Sequence, residues 1–181
     1  MHNNFKIYYF TDKFNNIELD RLNKKISIIY RNYNKTHNLF DIEKLKKFCK
    51  RSNRKFFISD NLKLALKFNT DGLYIPSFNK SLNYNNKSLK KNFEYIGSAH
   101  SLTEIKTKYL QGCSQVFLSP LFFNPKNKKK LGITKFSLLS QFVKGKIIAL
   151  GGINNKNFSK LKALKISGFA SISWIKKNGL K

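Results

Sequence analysis

The sequence predicts an α/β fold, a compact (β/α)8 TIM barrel, and three observations support that prediction. Short apolar runs alternate regularly with amphipathic segments, which is the pattern of strands and helices in a parallel sheet. There are eight such runs, and eight units favour a closed barrel over an open α/β sheet, which is the alternative. The 181 residues, 41% of them hydrophobic, suit one domain with a substantial core.

The strands are predicted where apolar residues stand together between polar turns. The first run is FKIYYF and the last is FASIS. The predicted strands are 5–10, 26–33, 55–59, 72–75, 93–97, 115–119, 146–150 and 169–173. Because 181 residues are few for such a barrel, the helices must be brief and the loops tight. No linker interrupts the pattern, so we predict that residues 1–181 form a single domain.

The helices are predicted between the strands, from apolar residues at helical spacing and from capping residues. Asp41 is the predicted N-cap of the second helix. Ser101 and Glu104 have the spacing of a capping box at the fourth. The predicted helices are 17–25, 41–52, 61–68, 101–112, 133–143 and 155–167.

The formal net charge of +27 bears on the kind of partner the chain has. Only four of its 36 basic residues are arginine, and the lysines are spread along the whole chain. Recognition of base edges favours clustered arginine forks, so we predict no specific nucleic-acid partner. A general positive field favours small anionic ligands such as phosphorylated metabolites.

Membrane and secretion signals are not found in the sequence. No apolar run approaches the roughly 18–20 residues that cross a bilayer, and the first ten residues lack the pattern of a signal peptide. We therefore predict a cytoplasmic protein with no membrane partner, and the sequence is compatible with an oligomer. Cys49 and Cys113 lack a CxxC partner, so reduced, packed thiols are expected.

The most informative segment is IIALGGINNKNF, in which the seventh predicted strand ends on two glycines. The loops after strands seven and eight of such barrels frequently hold a phosphate, and glycine lets an anion approach backbone N–H groups. Gly151 and Gly152 are therefore candidate phosphate-binding residues, together with Ile172 and Ser173 at the end of strand eight. The alternative is that the glycines only form a tight turn.

Several segments together resemble the thiamine phosphate synthase/TenI family of (β/α)8 barrels. IIALGGINNKNFSKL is similar to the family's vaIGGIt.eN, and FFISDNLKLALKFNTDGLYI to its liiNDrvdlAl.lgAdGvHl. IGSAHSLTEI is similar to iGvSaHsleEa, SPLFFNPKNKKKLG to GpvFpTptKpg…lG, and ASISWI to vavvSai. The segments follow the family's order and cover the chain from about residue 27 to its end.

The resemblance implies a ligand site with two ends. Family synthases join a phosphorylated thiazole to a pyrimidine carried on pyrophosphate. At the thiazole phosphate end Gly151, Gly152, Ile172 and Ser173 match the family, and Ser98 matches the serine of its S-a-H-s segment. The implied partner is therefore a small phosphorylated heterocycle.

At the pyrophosphate end the chain departs from the family. Arg31 is kept, but Tyr33 replaces the motif's lysine. Asp60 is kept as a metal ligand, whereas Asn79 replaces the second metal carboxylate, and Asn124 is the candidate substrate contact in a loop that has lost its threonines. One carboxylate makes a weaker magnesium site, so Mg²⁺ is expected only if synthase activity is retained, and no other cofactor is predicted. Alternative roles are a helix cap for Asp60 and a rim ion pair for Arg31.

These departures favour a TenI-like branch, whose members isomerise a thiazole carboxylate phosphate. A tautomerase needs a general acid/base, and His100 matches the histidine that serves this role in that branch. The alternative for His100 is a structural role in its loop. Two further functions stay open, which are thiamine phosphate synthase itself and a barrel that binds a phosphorylated ligand without catalysis.

Overall fold

The computed structural model describes residues 5–33, 36–84, 91–123 and 130–180, and it confirms the predicted barrel. Eight parallel strands close on themselves, each paired with its sequence neighbour and the last with the first. The strands are β1 (Lys6–Thr11), β2 (Ile26–Tyr30), β3 (Phe56–Ser59), β4 (Gly72–Ile75), β5 (Glu94–Ala99), β6 (Gln115–Leu118), β7 (Lys146–Leu150) and β8 (Gly168–Ala170). Each overlaps its predicted strand, although β8 is shorter because a helix begins at Ser173.

The helices are brief, as the chain length required. They are α1 (Asn16–Asp20), α2 (Leu39–Arg51), α3 (Leu62–Lys67), α4 (Leu102–Leu110), α5 (Gly132–Ser140) and α6 (Ser173–Asn178). The α-helix predicted at 155–167 is wrong, because this segment forms only a 3₁₀ helix from Phe158 to Ala163. Asn154 and Asn157 precede it and bind neighbouring backbone groups with their side chains, which competes with the start of an α-helix.

Two predicted helix caps are displaced to neighbouring asparagines. Asn38, not Asp41, caps α2, and its side chain accepts from the backbone N–H groups of residues 40 and 41. Asn61, not Asp60, caps α3. The capping box predicted for α4 is half formed: the Ser101 side chain accepts from the Glu104 N–H, whereas the Glu104 carboxylate accepts from the backbone N–H of His100 instead of Ser101. Asp60 is therefore not needed as a cap.

Two hydrophobic cores hold the barrel together. One lies between the sheet and the helices, and the other fills the barrel interior. The interior core is unusually aromatic, with Phe10, Tyr74 and Phe117 in mutual edge-to-face contact at centroid separations of 5.2–6.1 Å. A few large aromatic side chains therefore fill the barrel interior, and the carboxyl end of the barrel lies over a close-packed core.

The amino end of the barrel is closed by a polar network. Glu94 pairs with Lys55 and accepts from Gln115 at 2.8 Å, and Gln115 accepts from the Tyr8 hydroxyl at 2.7 Å. Burial raises the pKa of Glu94, but the hydrogen bond from Lys55 and the charge of Lys6 outweigh it, so the net shift is downward. These groups satisfy one another and leave the opposite end for ligands.

Trp174 packs in the outer layer. Its ring lies 5.0 Å from that of Phe158 and 5.8 Å from that of Phe169. Cys49 and Cys113 are free thiols, and burial raises the pKa of each to about 12. Within the described ranges no helix is long and apolar enough to span a membrane.

Candidate functional site

The candidate site lies at the carboxyl end of the barrel, where the strand ends bring the predicted residues to one rim. Arg31, Asp60, His100 and Gly151 directly follow β2, β3, β5 and β7, and Asn79 lies four residues after β4. Because all eight strands are parallel, these positions share the same edge of the sheet. This is the edge at which (β/α)8 barrels place their active sites.

The glycine turn is held against the loop after β6. Gly151 and Gly152 have φ angles of 96° and 68°, a conformation that glycine adopts without strain. A Cβ on Gly151 would lie 2.7 Å from the Pro120 Cα, and one on Gly152 would lie 2.5 Å from the Phe123 carbonyl oxygen. The close packing of this loop therefore requires both glycines, whether or not a ligand binds them.

The same turn also offers open donors. The Gly152 carbonyl accepts from the Asn157 side chain at 2.8 Å, but no described group accepts the backbone N–H of Gly152 or of Ile153. The Ser171 hydroxyl donates to the Ile153 carbonyl at 3.1 Å and ties this turn to the end of β8. The two predicted halves of the phosphate site, around residue 152 and around residue 173, are therefore brought together.

Ile172 and Ser173 lie at the start of α6 and are exposed. The first backbone N–H groups of a helix have no partner inside it, and no side chain caps α6. The contact between Ser171 and Ile153 places the start of α6 next to the glycine turn.

Arg31 is stacked rather than ion-paired. Its guanidinium carbon lies 4.5 Å from the centroid of the Phe10 ring and 5.7 Å from that of Tyr33. No described carboxylate forms an ion pair with it, so the alternative of a rim ion pair fails. Its N–H groups also interact with the hydroxyls of Tyr33 and Tyr74, and because a guanidinium carries five N–H donors, others are left for an anion.

Asp60 and Asn79 meet directly. Asn79 Nδ2 donates to Asp60 Oδ1 at 2.6 Å and contacts the Tyr84 hydroxyl at 2.8 Å. The Ser81 N–H donates to Asn79 Oδ1 at 2.9 Å, which fixes the amide so that its NH₂ group faces the carboxylate. Asp60 itself has a φ of 61°, a left-handed conformation that is uncommon for residues other than glycine but is adopted by aspartate more often than by most.

The donor set at this pair does not fit a two-carboxylate Mg²⁺ site. Mg²⁺ takes oxygen ligands, whereas Asn79 presents N–H groups toward Asp60. No cluster of three or more metal-ligating side chains occurs among the residues that the structure describes. Asp60 and Asn79 therefore do not form a two-carboxylate metal centre.

A buried lysine that sequence reasoning did not identify supports the Asn79 loop. Lys108 on α4 is fully buried, and its Nζ donates to the carbonyls of Pro76 at 2.7 Å and Asn79 at 3.0 Å and to Gln111 Oε1 at 2.7 Å. Gln111 in turn donates to the Asn79 carbonyl at 3.0 Å. Burial lowers the pKa of Lys108 to about 8. Helical spacing alone suggests a solvated lysine, so only the tertiary structure shows this contact.

Ser98 lies inside the barrel below the rim. It is buried on β5, and its hydroxyl interacts with that of Tyr74. Burial raises the pKa of the Tyr74 phenol, so this residue stays a neutral hydrogen-bonding group. Ser59 is also buried there, and its side chain interacts with the Tyr33 hydroxyl.

His100 is exposed at the rim, and its ring is oriented by one residue. Its Nδ1 lies 2.7 Å from the Ser119 carbonyl oxygen and 3.1 Å from the Ser119 hydroxyl. A carbonyl oxygen only accepts, so Nδ1 carries the proton and Nε2 of the neutral ring keeps its lone pair. The backbone N–H of His100 donates to the Glu104 carboxylate at 2.6 Å. Asn124, the predicted substrate contact in the following basic loop, lies outside the described residues.

The fold and the placement of these residues define a (β/α)8 barrel with its candidate site at the carboxyl rim. Comparison with known proteins narrows this class. The family model described as thiamine monophosphate synthase matches residues 13–175, and the chain belongs to that family.

The relatives and solved structures agree with this assignment. A thiamine-phosphate synthase of Prochlorococcus marinus strain AS9601 is 33% identical over 137 residues, which are 72% of this chain and 37% of that protein. One from Flavobacterium johnsoniae is 28% identical over 80% of this chain and 72% of its own length. The chain thus spans less than half the length of the Prochlorococcus relative. A thiamine phosphate pyrophosphorylase structure from Pyrococcus furiosus superposes with a TM-score of 0.77 at 22% identity, covering 98% of this chain and 93% of that one, which supports the fold.

Proposed function

We propose that the chain is a thiamine phosphate synthase that joins a thiazole phosphate to a pyrimidine pyrophosphate at the carboxyl rim of the barrel. The observation that carries this proposal is family membership, with relatives named as synthases. The substitutions at the pyrophosphate end favour a TenI-like tautomerase, whereas the names of the relatives favour the synthase. The synthase is therefore placed first.

Each end of the site offers groups that suit one of the two substrates. The open N–H groups of Gly152 and Ile153 suit the phosphate of the thiazole. Across the rim, the Arg31 guanidinium suits the pyrophosphate. As the bond between carbon and the pyrophosphate oxygen breaks, the oxygen takes the electron pair, and a fixed cation stabilises the charge that develops there. The thiazole nitrogen supplies the pair for the new bond to carbon.

A mass-resolved assay tests the proposal. Purified protein is mixed with thiazole phosphate and pyrimidine pyrophosphate, with and without Mg²⁺, and thiamine phosphate is measured. Arg31→Gln is expected to lower kcat/KM by at least tenfold, because it removes the cation beside the leaving group. Arg51→Gln is the matched control, since Arg51 also lies over an aromatic ring but on the outer helix α2. No product from wild-type protein under either condition contradicts the synthase proposal.

A second candidate function is thiazole tautomerase, and the orientation of His100 favours it. With Nδ1–H bound to Ser119, the exposed Nε2 is available to take and return a proton. The same preparation is therefore incubated with the thiazole carboxylate phosphate alone. Isomerisation without coupling supports this candidate, and binding without either reaction supports a non-catalytic barrel.

A further inference from the structure

Two exposed aromatic rings touch each other above the end of β3. Tyr33 follows β2 and Phe78 follows β4, and their ring centroids lie 5.4 Å apart at an interplanar angle of 71°. The two side chains remain 54% and 60% exposed. Because β3 lies between β2 and β4 in the barrel, the pair bridges over the strand that ends at Ser59.

This pair adjoins the anion-binding end of the candidate site. Tyr33 shares the Arg31 guanidinium with Phe10. Phe78 directly precedes Asn79, whose amide binds Asp60. The two aromatic rings and the Arg31 guanidinium therefore lie side by side at one rim, next to the hydrogen-bonded pair of Asn79 and Asp60.

We propose that Tyr33 and Phe78 bind the planar heteroaromatic ring of the substrate whose pyrophosphate reaches Arg31. This proposal rests on the proposed function and names the ring-binding part of that site. An aromatic ring that is more than half exposed has an open face, and a planar ligand ring stacks on such a face whatever its substituents. The adjacent guanidinium adds charge recognition to ring recognition.

The loop that carries Phe78 is held in place without the ligand. Lys108 and Gln111 fix the carbonyl of Asn79, and the Lys108 ammonium also holds that of Pro76. The backbone before and after Phe78 is thus held by buried hydrogen bonds. A pre-positioned ring loses little conformational freedom when a ligand stacks on it, which favours binding.

The test compares two probes that differ only in whether they carry a ring. Titration calorimetry measures the affinity of hydroxymethylpyrimidine pyrophosphate and of inorganic pyrophosphate for wild-type protein and for variants. Phe78→Ala is the main variant, because Phe78 does not touch Arg31. Phe78→Tyr keeps the ring, and Phe142→Ala is the matched control, since Phe142 is 54% exposed but lies beyond α5.

Phe78→Ala is expected to weaken the pyrimidine ligand by about 5- to 150-fold, the effect of removing one stacking ring, and to leave inorganic pyrophosphate unchanged. Phe78→Tyr and Phe142→Ala should bind both probes as the wild type does. Equal weakening of both probes in Phe78→Ala, or no weakening of either, overturns the inference. Wild-type protein that forms thiamine phosphate while Phe78→Ala keeps full affinity refutes the ring site alone. Wild-type protein that binds neither probe refutes the synthase proposal and the ring site together.

Discussion

Replacing glycine by alanine at position 152 separates backbone strain from close packing. Gly132 provides the matched control, because its φ of 71° is nearly that of Gly152 at 68°, while its added Cβ would meet none of the described residues within 4 Å. Gly132→Ala should therefore cost only the left-handed conformation, about 1–2 kcal/mol. Gly152→Ala adds overlap with the Phe122 and Phe123 carbonyl oxygens at 2.7 and 2.5 Å, worth about 1–3 kcal/mol more.

Urea denaturation followed by circular dichroism measures both variants. The free energy of unfolding should fall by about 1–2 kcal/mol in Gly132→Ala and by about 2–5 kcal/mol in Gly152→Ala. At about 2–4 °C per kcal/mol for a chain of this size, the melting temperature of Gly152→Ala should fall further than that of the control. Equal losses in the two variants would refute the argument that the loop after β6 requires a bare backbone at this turn.

Three other predictions concern the rim. Asn79→Asp places a second carboxylate against Asp60 and should create an Mn²⁺ site that electron paramagnetic resonance detects. The wild-type protein and the double variant Asp60→Asn/Asn79→Asp should lack this site. Equally tight Mn²⁺ binding by wild-type protein would contradict the reading that the Asn79 amide, bound to Asp60, excludes the metal. Burial lowers the pKa of Lys108 from the usual 10.5 to about 8, so between these pH values the unfolded chain binds more protons than the folded one. The free energy of unfolding of the wild type, relative to that of Lys108→Met, should therefore rise by about 3 kcal/mol from pH 7 to pH 11. If this difference in free energy does not change with pH, burial does not perturb the lysine. His100→Gln should lower any tautomerase rate by about 10²–10⁴-fold with little change in melting temperature, since the side chain is exposed; an unchanged rate would assign His100 to its loop alone.

The barrel could be predicted from the sequence because its signals are local. Eight apolar runs and the polar turns between them are visible one segment at a time, and the Ser101 cap of α4 is a contact between residues three positions apart. Asn38 was missed as a cap because Asp41 is an equally good capping residue and only geometry chooses between them. The α-helix predicted at 155–167 was wrong because Asn157 binds the Gly152 carbonyl with its side chain, and the spacing of apolar residues does not indicate such a contact.

The candidate site was predictable by position but not by contact. The sequence placed Asp60 and Asn79 near each other, yet the orientation of the amide depends on the Ser81 N–H. It likewise left open whether Arg31 pairs with a carboxylate, and the answer depends on the Phe10 ring from another strand. Lys108 was missed because a lysine on a helix is usually solvated, and its partners lie about 30 residues away in the chain.

The segment from Ser119 to Phe122 contacts two parts of the rim, His100 and the glycine turn. The Ser119 carbonyl orients His100 at the end of β5. Two and three residues later, the N–H groups of Leu121 and Phe122 bind the carbonyls of Leu150 and Gly151 at 2.9 and 3.0 Å. The glycine turn and the imidazole are thus connected through four residues of one segment. Substitutions at the two places should not have independent effects, and a double-mutant cycle between them should show a coupling energy of about 0.5–3 kcal/mol.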